Sequence, residues 1–108
     1  MNQKILNVDK ILNKTSDIIT AFKSDEYISD ERLMMMHRGL SYCHFKLTEV
    51  NVKAGEDYAK IMYEFEGTAA KAKIEAEHKI PELRKTRKLL DTVKQNLIHI
   101  SASLKNNN

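Results

Sequence analysis

The sequence predicts an all-α protein: a long antiparallel helical hairpin plus a shorter N-terminal helix, with coiled-coil-like packing and an oligomeric state. Three observations carry that expectation. Apolar residues recur at three- and four-residue spacing along three segments, the pattern of a helix with one buried face. The 108 residues include only three Gly and one Pro, too few turn formers for a sandwich or a barrel. The two longer segments are nearly equal in length and meet at one short break, so folding at that break lays one against the other.

The first helix is expected over about residues 3–23. Ile5, Val8, Leu12, Thr15, Ile19 and Phe22 form its stripe, widened by Ile11 and Ile18. The polar run KSDEYISD then reads as a turn, with Ser29 or Asp30 placed to cap the next helix. That second helix is expected over about 30–66. Leu33, Met36, Leu40, Cys43, Leu47, Val50 and Ala54 keep the heptad. The stripe then shifts to Tyr58, Ile61, Met62 and Phe65, as in a helix without supercoil. Gly39 and Gly55 inside it each cost roughly 1 kcal/mol relative to Ala, which predicts a closely approaching neighbour. Gly67 suits a left-handed position after the helix, and Thr68 suits a cap for the third helix. The third is expected over about 69–104, with Ala69, Ala72 and Ala76 leading into Leu83, Thr86, Leu90, Val93, Leu97, Ile100 and Leu104. Residues 105–108 read as a frayed tail, and the whole of 1–108 as one helical domain.

Each long helix would span about 54 Å. Folding at Gly67–Thr68 sets Gly55 level with residues 79–81, so the bend expected at Pro81 should face a residue without a side chain. The N-terminal helix, about 31 Å long, covers little more than half of such a hairpin. The uncovered apolar seam near the Ala-rich hinge predicts a homo-oligomer.

Several classes of function find no foothold. One cysteine, Cys43, excludes an intramolecular disulfide and sits on the apolar stripe as a small hydrophobe. Asp9 and Lys10 interrupt any signal-peptide core, and no apolar run approaches membrane-spanning length, so a cytoplasmic protein without membrane contact is expected. His37 and His44 share a face but stand about 10.5 Å apart along the helix, and no His-x3-His or Cys-x2-Cys spacing occurs, so no metal is expected. His37 reads as a packed or interfacial histidine and His99 as a seam-edge residue. The sequence has no Gly-rich phosphate loop, no nucleophile elbow and no paired carboxylates on a plausible pocket. Neither an enzyme, nor a cofactor, nor a small-molecule substrate is expected. In the cluster Met34–Met36 only Met36 belongs to the core stripe. The other two read as core edge or as an adaptable contact patch.

Charge is the remaining signal. Residues 1–66 carry nine Lys and Arg against eleven Asp and Glu, whereas residues 67–108 carry nine against four. With Leu83 and Thr86 in the seam, Arg84, Lys85, Arg87 and Lys88 fall on an outward arc. Lys94 continues it, and Lys71, Lys73 and Lys79 extend it towards the hinge. A solvated helix face accounts for this arc alone. Repeated around an oligomer, it becomes a track for a phosphate backbone. Residues 67–108 hold no Phe, Tyr or Trp, so such binding would be electrostatic and nearly sequence-independent.

The stretch from Leu47 to Lys105 resembles small all-helical proteins of tailed phages. Its layout of a Tyr/Ala-rich helix, a GT break and a Lys-rich helix with regular Leu and Ile is similar to recombination mediators of the UvsY type. KAGEDY, residues 53–58, resembles a Lys-Ala-Arg-Leu-Asp-Tyr element of that family, with Gly55 standing where the family carries Arg. AEHKIPELRKTRKLL, residues 76–90, resembles the start of its following helix. The resemblance implies a ring-like homo-oligomer that binds single-stranded DNA and helps load a recombinase or another replication protein. It implies a DNA contact for Lys53 and, by analogy, for the basic arc. A phage-encoded protein would act in the host cytoplasm. Two functions follow as expectations: a DNA-binding accessory protein, or a helical adaptor or inhibitor that works through protein contacts, such as a phage assembly component or an anti-defence protein.

Overall fold

The computed structural model describes residues 2–24 and 27–106, with side chains described over 8–24 and 27–105. Four helices account for it: α1 (Asn2–Ser24), α2 (Asp30–Glu64), α3 (Ala69–Lys79) and α4 (Glu82–Asn106). The described residues contain no strand, and no helix among them is long and apolar enough to cross a membrane. The molecule is elongated, 59 × 27 × 19 Å.

α2 is the spine. α4 packs along it most extensively, α1 packs on a second face, and α3 continues along the far end. Both partners run antiparallel to α2. Asn51 meets Leu83 and Thr86 near the middle, while Met34 and His37 share a surface depression with Ser101 and Leu104 at one end. On the other face Ile18 meets Gly39 and Lys14 meets Tyr42. α1 touches α4 slightly and, among the described residues, does not reach α3.

Helix ends follow their local chemistry. The Ser29 hydroxyl accepts from the Arg32 N–H at 3.3 Å and the Thr68 hydroxyl from the Lys71 N–H at 3.3 Å, each satisfying one orphan donor of a first turn. Gly67 turns the chain at φ 143°, a region closed to most side chains. The ring of Phe65 lies 2.8 Å from where a Cβ of residue 67 would stand.

The core follows the periodic stripes. Leu33, Met36, Leu40, Cys43, Leu47 and Ala54 of α2 are buried, with Val93 and Ile100 of α4 and Ile19 of α1. Ile11, Leu12, Ile18, Phe22, Leu90, Leu97 and Leu104 close around them. Ala72 and Ala76 are the buried residues of α3, and their small size lets that helix lie close to α2. Ala69 is exposed rather than part of the stripe, and the side chain of Ile5 lies outside the described residues. Lys105 and Asn106 are helical where a frayed tail was expected, and residues 107–108 lie outside the described residues.

Two expectations about the hairpin need correction. Pro81 does not bend one long helix; it divides two. Ile80 ends α3 at φ −123°, ψ 64°, because a residue before proline is excluded from the α region. Pro81, lacking an N–H, then stands at the start of α4, where that donor has no intrahelical partner anyway. Gly55 does not face the proline either. A Cβ at Gly55 would meet only a methyl of Leu83, at 3.9 Å. Helical side chains lean towards the start of their own helix, so Leu83 reaches back and fills the space opposite Gly55. The close approach is at Gly39, where the Cδ1 of Ile18 would stand 2.9 Å from an added Cβ.

Candidate nucleic-acid interface

All nine candidate cations are exposed, but they do not lie on one arc. With the buried Thr86 as the inward direction of α4 and 3.6 residues per turn, Arg84 and Lys88 lie opposite the core, about 160° round on either side. Arg87 and Lys94 sit on one flank. Lys85 sits on the other, and lines a groove together with Lys53 and Lys79. Lys71 and Lys73 are exposed on opposite flanks of α3, one residue either side of the buried Ala72.

Ion pairing divides the set again. Lys53 donates to Asp57 at 2.9 Å and Lys79 to Glu75 at 3.0 Å, each one helical turn apart. Arg84 reaches Glu77 at 3.2 Å across the α3–α4 break. The hydrogen bond to Asp57, with the charge of that carboxylate, raises the Lys53 ammonium above the ordinary lysine range and keeps it cationic. Lys71, Lys73, Lys85, Arg87, Lys88 and Lys94 have no ion pair with a described residue.

The groove holding Lys53, Lys79 and Lys85 is a feature that the charge pattern alone did not reveal. It has a volume of about 930 Å³ and runs between α1, the middle of α2 and the α3–α4 junction. Its floor is apolar (Val8, Ile11, Val50, Ala54, Ile80 and Pro81), and its rim adds Lys10, Lys14 and Lys46 to the three candidates. Lys14 lies over the Tyr42 ring at 5.3 Å, a cation–π distance. Acidic groups at Asp9, Glu49, Asp57 and Glu82 partly offset the rim. The groove exists because the break at Ile80–Pro81 and the slight contact between α1 and α4 leave α2 uncovered between them.

A second surface feature was missed although its signal is present in the sequence. Phe45, Glu49, Val52, Glu56, Ala59 and Tyr63 follow one another at four- and three-residue spacing along α2. All six are exposed, Tyr63 at 92%. This second heptad stripe runs beside the buried one and is obscured by the stronger core pattern.

Cys43 is buried and free. His37 is half-buried beside Ser101 and Leu104 of α4, His44 is half-buried, and His99 is exposed. Among the described residues no three His, Cys, Asp or Glu side chains converge as a metal cage. No family model matches the chain, and no curated protein or solved structure matches it.

Proposed function

We propose that the protein is a non-catalytic accessory protein of DNA replication or recombination that binds single-stranded DNA as a homo-oligomer. The observation that carries this reading is the set of exposed, locally unpaired cations on α3 and α4: Lys71, Lys73, Arg87, Lys88 and Lys94. A cation without an ion pair meets a phosphate without first giving up a partner, and each contact releases a condensed counterion. Arg84 stands among them, and its exposed pair with Glu77 is of the kind that contributes about 0–1 kcal/mol, so it yields readily to a phosphate.

Residues 67–108 offer no aromatic ring for base stacking. Binding therefore rests on charge and discriminates little among sequences. Several copies would join their basic surfaces into one track, and the resemblance to UvsY-type mediators supports a recombinase or another replication protein as the further partner. Fluorescence anisotropy with a labelled oligothymidylate tests this: tight binding at low salt that weakens steeply as salt rises is expected. No binding at low salt contradicts it.

One observation favours the second reading, a helical adaptor or inhibitor of the phage-assembly or anti-defence kind. Phe45, Val52 and Tyr63 are exposed at 60, 55 and 92% on a face that no described helix covers. Exposed apolar stripes of this kind mark protein contacts. Absence of DNA binding together with capture of a defined protein would favour the adaptor.

A further inference from the structure

We infer that the groove between α1, α2 and the α3–α4 junction receives the outer stripe of α2 from a second copy of this chain. The inference rests on the self-association proposed above and assigns it an interface that joins unlike surfaces.

Three observations converge. The first is size. The groove follows α2 from Tyr42 to Asp57, about 22 Å at 1.5 Å per residue. That is about four helical turns, the length of one helix face.

The second is shape and polarity. The groove floor is apolar, and the stripe offers Phe45, Val52, Ala59 and Tyr63 within an arc of about 40°, over roughly 27 Å of helix. A helix seated there completes a four-helix arrangement around an apolar interior. A nucleic-acid backbone would set phosphates against that floor.

The third is charge. Lys10, Lys14 and Lys85 on the rim have no ion pair with a described residue. The stripe places Glu56 between its apolar members, while Glu49 at its edge already pairs with Lys46 of the groove rim at 3.8 Å. No lysine or arginine falls within the stripe itself. Groove and stripe adjoin along α2, with Glu49 at their border, so each copy gives one and receives one. Such head-to-tail contacts close into a ring or grow as a filament.

The test uses two variants of the full chain, both altered only at exposed positions and checked by circular dichroism. The groove variant carries Lys10→Glu, Lys14→Glu and Lys85→Glu; the stripe variant carries Phe45→Gln, Val52→Gln and Tyr63→Gln. Light scattering after size exclusion at micromolar concentration should give a wild-type mass several times 12.5 kDa and monomers for each variant alone. An equimolar mixture should give a dimer, because one intact groove and one intact stripe remain. Variants that keep the wild-type mass overturn this interface while leaving self-association standing. A mixture that stays monomeric, or a wild type that is monomeric throughout, overturns the inference. Oligothymidylate anisotropy on the same samples reports separately on the DNA reading.

Discussion

The side-chain amide of Asn51 donates a hydrogen bond of 3.0 Å to the hydroxyl of Thr86, joining α2 to α4 across 35 positions of sequence. The same amide reaches the Leu83 carbonyl at 3.3 Å, and the Thr86 hydroxyl donates to the Glu82 carbonyl at 2.7 Å. Thr86 is 1% exposed, so its hydroxyl is satisfied as donor and acceptor without water. A polar pair at one level of an apolar seam penalises shifted registers, since a slip sets the Asn51 amide against apolar side chains without its two acceptors.

Thr86→Val should therefore destabilise by about 0.5–1.5 kcal/mol, the net worth of a hydrogen bond, since the half-buried Asn51 amide keeps the Leu83 carbonyl. Asn51→Leu should cost less, because the Thr86 hydroxyl keeps its bond to Glu82. The double variant should be more stable than the sum of the single effects predicts. Chemical denaturation of all four proteins measures the coupling. Additive effects would mean that the pair contributes nothing across the interface.

The two glycines of α2 should behave differently. At Gly55 an added Cβ makes ordinary contact with Leu83, so Gly55→Ala should gain about 1 kcal/mol of helix propensity and raise the melting temperature by about 4–8 °C. At Gly39 the methyl of Ile18 stands where a Cβ would go. Gly39→Ala should be nearly neutral, the propensity gain offset by displacing that methyl. Gly39→Leu should lose about 1–3 kcal/mol by pushing α1 off the hairpin. Thermal melts of the three variants decide it, and a stabilised Gly39→Leu would contradict the packing of α1.

Asn96 is 3% exposed, and its side-chain carbonyl oxygen has no hydrogen-bond partner among the described residues, although its amide donates to the Thr92 carbonyl at 2.8 Å. Asn96→Leu, of similar volume, should stabilise by about 1–3 kcal/mol by removing an unsatisfied buried group. Loss of stability in that variant would reveal a partner for the oxygen in solution.

The same residues show what the sequence could convey. Leu33, Met36, Leu40, Cys43 and Leu47 were legible as a buried stripe because burial and spacing coincide. Ser29, Gly67 and Thr68 were legible because capping and reversed backbone demand particular residue types. Asn96 was not, since a polar residue gives no periodic signal of burial. The partner of Gly55 was misplaced because spacing fixes the height of a residue and not which side chain leans into the space beside it. The groove was invisible for a related reason: it arises from where α1 ends and α4 begins, not from any one stripe. Lys85 was assigned to the outward arc with its neighbours, yet a turn of 100° per residue carries it to the opposite flank from Arg87.

That division of the cations supplies the most direct measurement. Binding of labelled oligothymidylate should be followed against salt for the wild type, for Lys85→Ala, and for the combined variant Arg84→Ala, Arg87→Ala, Lys88→Ala and Lys94→Ala. The log–log slope on a single strand is about −0.7 per phosphate neutralised. The combined variant should lose up to about 2.8 of that slope and weaken all sequences alike, with helicity unchanged. Lys85→Ala, facing the groove, should keep the wild-type slope. Failure of the wild type to bind at low salt, or an unchanged slope in the folded combined variant, would contradict the proposal that the outer surface of α3 and α4 holds DNA.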